Sequence, residues 1–398
     1  MPQLTRRVVC DIRRKRGGPN GTGLADLPRM TRHLMTAMFI LAAIRPAAAQ
    51  DTRAAEIAAR QAAKARVATP EIEPAGQRVL KRLQGLFAPK PPAIAPTFGG
   101  LRAGSGFAPG VELLAPAGRS LVVVRGAWSV QNARLGSALV EVPRTPDGSA
   151  LSLLARWEDT PHTEWFGPGM TAALRREYAL QTTEFVASAR RRVVGPLRAF
   201  ADAGLMHANT SEFGRSTWLQ SAFGAAVDTR TSPGYTRRGG LYAASVEHLA
   251  ARTSNQSSFD RMVIDLRHFI PLMDENWVIA MQGRAELTAN AGSAPAFLLP
   301  YVGGGSTLRG YHEYRFTGQQ AVLLRGELRW MAGPAVDFAA FVDHGVVADR
   351  VRALAADDMR RGWGIGARWH GDTFTALRVD VAHGSEGWHL HVAQTASF

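Results

Sequence analysis

The sequence predicts an all-β fold, a 16-stranded antiparallel β-barrel that crosses a membrane. Three observations lead there. From Thr97 onward the 398-residue chain divides into sixteen short segments of alternating apolar and polar character, bounded by turn residues. Successive strand side chains point to opposite faces, so such segments set one row against hydrocarbon and one toward a wet interior. The connections alternate between short turns and longer segments, notably 160–176, 290–319 and 348–360, as they do in barrels with periplasmic turns and external loops. Finally, no run of about 18 apolar residues is present to make a spanning helix. In hydrocarbon every backbone N–H and C=O must be paired, and a sheet achieves that only by closing on itself.

Residues 1–49 read as a secretory signal. Arg32 and His33 precede an apolar run from Leu34 to Ile44, and Ala47-Ala48-Ala49 supplies a small-residue cleavage site. The basic stretch before Met30 is long for such a signal, so Met30 is an alternative start. Residues 50–95 read as a periplasmic linker in which Val79, Leu80, Leu83, Leu86 and Phe87 share one face of a short amphipathic helix. That helix would pack on the barrel rim, enter the lumen or dock on another protein. A partly ordered linker ending at Pro89, Pro91 and Pro92 fits equally well.

The barrel occupies 96–398. Its strands are expected near 97–103, 106–115, 121–130, 133–144, 150–159, 177–193, 197–208, 216–229, 240–250, 259–271, 277–289, 320–331, 335–347, 361–370, 373–383 and 387–398. Turns such as Pro146-Asp147-Gly148, Gly195-Pro196, Gly333-Pro334 and Gly371-Asp372 separate several of them. The pattern is clearest late in the chain. Val322, Leu324, Gly326, Leu328 and Trp330 face one way, and Arg325, Glu327 and Arg329 the other. Val336, Phe338, Ala340 and Val342 oppose Asp337, Ala339, Phe341 and Asp343. The closing strand is expected to turn Trp388, Leu390, Val392, Gln394, Ala396 and Phe398 to lipid, with Trp277, Trp330 and Phe398 at the interfacial girdles.

Composition narrows the function. Nine basic residues against two acidic ones in 1–49 carry half of the formal net charge of +14, and the remaining arginines are scattered at strand spacing. A nucleic-acid surface concentrates its charge on one face, so that class is disfavoured. The single cysteine, Cys10, lies within the signal, leaving no disulfide framework or thiol metal site in the mature chain. Gly303-Gly304-Gly305 is followed by no Gly-Lys-Ser/Thr, which argues against a nucleotide loop. No Gly-x-Ser-x-Gly elbow or His-Glu-x-x-His is present, so no enzymatic activity, cofactor or metal is expected. His389 and His391 share a strand face but lack a third ligand nearby in sequence, and His162 and His312 read as loop residues.

Four features together carry a resemblance. They are Leu308-Arg309-Gly310-Tyr311 in the sixth outer loop, Phe341-Val342-Asp343-His344-Gly345 on the thirteenth strand, Asp228-Thr229-Arg230 with Pro233 and Gly239-Gly240 before the ninth, and the terminal Phe398. In this order the chain from Thr97 to Phe398 resembles the outer-membrane barrel-assembly and two-partner-secretion transporter superfamily, also called bacterial surface antigens. The resemblance implies that the sixth loop folds into the lumen, where Arg309 pairs with Asp343 and Glu327 is a second acceptor. Gly310 would allow a tight turn and Tyr311 would pack on the inner wall. It also implies a weak seam between the first and last strands that can part toward the bilayer, and a place in a Gram-negative outer membrane.

Relatives that handle polypeptides usually carry polypeptide-transport-associated domains before the barrel, and 51–95 is too short for one. Either a separate periplasmic receiving protein supplies that role for unfolded client polypeptides, or this barrel does something else. Two functions therefore stand side by side: an assembly or translocation barrel that aids insertion or secretion of polypeptides, and a passive diffusion pore or structural barrel.

Overall fold

The computed structural model describes residues 92–99, 101–102, 105–143, 149–172, 174–253, 256–273, 275–292, 294–333, 335–371, 374–394 and 396–398. The signal over 1–49, nearly all of the linker with its helical face, and the turn Pro146-Asp147-Gly148 lie outside these residues.

Sixteen strands form one antiparallel sheet in which each pairs with its neighbour in sequence. They are β1 (Ala93–Phe98), β2 (Pro109–Ala117), β3 (Ser120–Trp128), β4 (Arg134–Pro143), β5 (Ala150–Trp165), β6 (Arg176–Val194), β7 (Leu197–Thr210) and β8 (Gly214–Asp228) in the first half. The second half comprises β9 (Gly239–Ala251), β10 (Phe259–Leu272), β11 (Trp277–Ala289), β12 (Gln320–Met331), β13 (Val336–Ala348), β14 (Arg360–His370), β15 (Thr375–Gly384) and β16 (Gly387–Ala393). Hairpin connectivity throughout means that every described connection is local, as expected of an up-and-down barrel.

The two faces separate by chemistry. Phe223, Ile365, Trp388 and Leu390 are each more than 60% exposed on the outer face, whereas Arg325, Glu327, Arg329, Asp337 and Asp343 are all 5% exposed or less. Alternation along β12 and β13 follows the expected rows, and register sets Arg325 opposite Asp343. Trp277 and Trp330 are paired across β11 and β12 and stack at 5.9 Å near the periplasmic end.

Most strand ends shift by one to three residues from expectation, and three differences have a clear physical cause. β1 lies four residues earlier than expected, beginning at Ala93 within the segment read as linker, and it ends at Phe98 because Gly99 adopts φ +75 and turns the chain. β5 continues through 160–165, with the ladder slipping between Thr160 and Thr163 where Pro161 cannot donate, so the expected 160–176 loop contracts to 166–175. β16 stops at Ala393. Trp388, Leu390 and Val392 face outward as expected, but Phe398 is 8% exposed and packs with Phe269, Val278 and Ala280. It therefore belongs to neither the lipid face nor a girdle.

The reason lies inside the barrel. The Arg325 guanidinium donates to the Ser397 carbonyl at 2.7 Å and that of Arg329 to the Ser397 hydroxyl at 3.1 Å. Both guanidiniums lie over the Phe398 ring, at 5.1 and 5.4 Å from its centroid. An aromatic face satisfies these cations in a way that lipid cannot. No backbone ladder among the described residues joins β1 to β16. One side-chain bridge spans the gap, with Phe98 N–H donating to Gln394 Oε1 at 2.8 Å.

Candidate functional site: a loop fastened in the lumen

The connection from β11 to β12, residues 290–319, turns back on itself through a two-residue ribbon in which Tyr301 and Val302 pair with Thr317 and Phe316. Leu308, Arg309 and Tyr311 at its tip are no more than 1% exposed. Gly310, at φ +89, makes this descent possible. A Cβ there would stand 2.7 Å from the Gly384 nitrogen, so both the backbone conformation and the clearance require glycine.

Arg309 reaches three wall strands. Its Nε and Nη2 donate to the two oxygens of Asp343 at 2.7 and 2.8 Å, a two-pronged bond that matches the planar fork to a carboxylate. Its Nη1 donates to Glu327 at 2.6 Å and to Asp380 at 3.2 Å, while its backbone N–H reaches Asp343 at 3.2 Å. The Phe341 ring lies 3.4 Å from the guanidinium carbon. Burial alone lowers the pKa of Arg309, but the charges of Glu327, Asp343 and Asp380 outweigh it and raise the value overall. The group is a permanent cation.

Period-two spacing on β13 explains the motif around Asp343. Phe341, Asp343 and Gly345 all face inward, supplying a ring beneath the guanidinium, its carboxylate partner and clearance for the loop. A Cβ on Gly345 would lie 3.3 Å from both Leu308 and Val302. On β14, a Cβ at Gly362 would stand 1.8 Å from the Arg309 carbonyl oxygen. Tyr311 packs edge-on against Phe316 at 5.3 Å and donates its hydroxyl to the Arg361 carbonyl at 3.1 Å.

Sequence reasoning missed most of the surrounding cluster. Glu327 also accepts from Arg329 at 2.8 Å and Arg368 at 3.0 Å, and Asp380 lies 3.2 Å from Arg368 and 3.3 Å from Arg378. Five guanidiniums thus surround three carboxylates. The excess cations turn to carbonyls, with Arg325 donating to Ser306 at 3.2 Å and Arg378 to Gly305 at 2.9 Å. Inward charges on β14 and β15 were the available signal, but nothing in the sequence revealed that the loop itself would supply acceptors.

Nearer the outside, a vestibule of about 670 Å³ is lined by His162, Glu164, His312, Glu313, His389 and His391 among others. The loop brings the His312 ring to 4.8 Å from that of His389, and His391 accepts the Gly310 N–H at 3.3 Å. Among the described residues, no three histidine, cysteine or acidic groups are placed to hold a metal ion.

Docking of the loop is expected to depend on pH through Glu313. Burial pushes its carboxyl up to about 7, although the Gly305 N–H bond and the charge of Arg378 act in the opposite sense. The docked loop therefore keeps a proton that the free loop loses near the ordinary value of 4.5. Docking is fully favoured below that value and weakens as pH rises through about 7. Cleavage of this loop by an added protease is expected to quicken between pH of about 5 and 8. The Glu313→Gln protein should show a flatter profile, and identical profiles for the two proteins would refute the assignment.

The fold and the fastening together define an outer-membrane β-barrel whose lumen is occupied by its own sixth loop. The chain belongs to the Omp85 superfamily, whose domain matches residues 170–386. No curated protein matches it. Among solved structures, BamA from Haemophilus ducreyi lacking POTRA domains 1-3 is similar at 16% identity and TM-score 0.57, over 76% of this chain and 68% of that one. CdiB from Escherichia coli is similar at 15% identity and TM-score 0.51, over 76% of this chain and 62% of that one. CdiB from Acinetobacter baumannii is similar at 11% identity and TM-score 0.50, over 75% and 58%. This chain spans less than two thirds of either CdiB chain, and at these identities the likeness concerns the fold.

Proposed function

We propose that this barrel aids the insertion or secretion of polypeptides at the outer membrane, with the Arg309 cluster as the latch that holds loop 6 in its working position. The observation that carries this reading is the complete burial of Arg309 among Asp343, Glu327 and Asp380. A long loop loses much conformational freedom on docking, and a buried charge without partners is costly, so this arrangement persists only as a set. A loop bonded to three strands constrains the wall beside the unladdered junction of β1 and β16. Short edge strands there can accept an extended client strand through backbone pairing. In this reading the unfolded client arrives from a periplasmic receiving protein, and neither nucleotide nor cofactor takes part.

The test compares client yield with conductance in cells that depend on this protein. Latch variants that fold are expected to lower the amount of folded or secreted client. Unchanged client with altered ion conductance would instead assign the barrel to passive diffusion.

A further inference from the structure

Residues 229–238, between β8 and β9, form the longest turn on the periplasmic end, and they do not remain above their own hairpin. Their base is stiff. The Thr229 N–H donates to the Gly240 carbonyl at 2.8 Å, and Asp228 accepts two bonds from the Arg230 guanidinium at 3.0 Å. Gly239 sits at φ +92, where a Cβ would stand 2.1 Å from the Thr229 carbonyl oxygen. The Asp-Thr-Arg and Gly-Gly motif thus builds a rigid stem that projects the tip away from its hairpin.

That tip lands on a distant arc of the wall, past β10, β11 and β12. Gly234 bridges Phe374 in the turn between β14 and β15, and the Thr375 hydroxyl donates to the Gly234 carbonyl at 3.1 Å. Tyr235 stacks on His370 with centroids 3.8 Å apart and planes 12° from parallel. Its hydroxyl donates to Asp337 Oδ2 at 2.7 Å. His370 Nε2 lies 3.2 Å from the other oxygen of Asp337, and Arg237 lies 3.7 Å from that carboxylate.

We propose that this turn is a gate across the periplasmic mouth of the lumen, latched by Tyr235 on Asp337 and His370. The polypeptide role rests on the function proposed above: an extended chain entering from the periplasm displaces the turn. The anchor consists of one ring stack, a few polar contacts and a single isolated bridge. All can be undone without breaking any ladder of the barrel wall, so the gate opens while the strands of the wall stay paired as they are. Farther up the lumen, a polar cavity of about 380 Å³ is lined by Glu184, Asp202, Gln220 and Glu247 on the wall and by Phe297 and Leu298 of loop 6.

The experiment uses the full chain in planar bilayers. In a Cys10→Ser background, Gly234→Cys with Phe374→Cys places the only two thiols at the bridge. Oxidation is expected to hold conductance at the closed level and reduction to release it. Tyr235→Ala should raise the open fraction about tenfold, with Tyr235→Phe, which keeps the stack, in between. Retained heat-modifiable mobility checks folding of each variant, the double-cysteine protein included. Equal conductance in the oxidised, reduced and Tyr235→Ala proteins would overturn the gate. In cells, a client blocked by the oxidised tether and restored on reduction supports polypeptide entry. A tether that closes conductance yet leaves client yield intact rejects that route while leaving assembly in place. Absence of any client effect from the protein itself overturns the function reading instead.

Discussion

Arg309→Ala is expected to release loop 6 from the lumen and to lower client assembly or secretion more than tenfold, while leaving a heat-modifiable barrel. The change leaves Asp343, Glu327 and Asp380 buried with one shared partner gone. Removing one member of a buried ion pair costs about 3–5 kcal/mol, far more than a surface pair is worth. The wall should survive, because its ladders do not pass through the loop. Arg309→Lys keeps the charge but cannot fork onto Asp343, so it should recover only part of the loss. Exchanging Arg309 and Asp343 together is expected to restore some function relative to the single changes. Two fully additive defects would count against direct coupling. The readouts are protease access to 290–319 and the yield of folded client.

The second large effect concerns the terminus. Phe398→Ala removes the ring that packs on Phe269 and covers Arg325 and Arg329, and full burial of an aromatic is worth about 3–5 kcal/mol in such substitutions. Removing Phe398 altogether also cuts the chain just beyond Ser397, whose carbonyl holds Arg325. Both changes are expected to lower the amount of folded protein in the membrane and the temperature at which its mobility shifts. Ser397→Ala, which loses only the Arg329 bond, should have a much smaller effect. Normal abundance and an unchanged transition for the Phe398 variants would show that the ring is dispensable.

The contrast between these residues shows what sequence can reveal. Alternation along β13 placed Asp343 on the inward row, and its pairing with Arg309 was an expectation that the family resemblance supplied. Asp380 and Arg368 were not singled out, since their strands contribute to the cluster only after the sheet curls and brings β14 and β15 beside β12. Phe398 was misplaced for a related reason. It continues the row of Trp388, Leu390 and Val392, broken only by Gln394, yet a terminal segment has a neighbour on one side only. A short tail can exchange weak pairing at the seam for the guanidiniums of Arg325 and Arg329. The Asp228 motif was visible as residues, but the landing of Tyr235 on His370 depends on a chord through space that no local pattern encodes.

By itself, the sequence pattern determined that this chain crosses a membrane as sixteen antiparallel strands and which face meets lipid, whereas the descent of the sixth loop was an expectation from the family resemblance. The strands and their lipid face follow from two-residue periodicity and from the demand that hydrocarbon places on backbone hydrogen bonds. Only the tertiary structure decided that Arg309 meets three carboxylates, that the terminal aromatic turns inward, and that the β8–β9 turn crosses to the far wall. Each of these joins residues from separate arcs of the curved sheet, and their distances are set by the curvature of the wall and not by position in the chain.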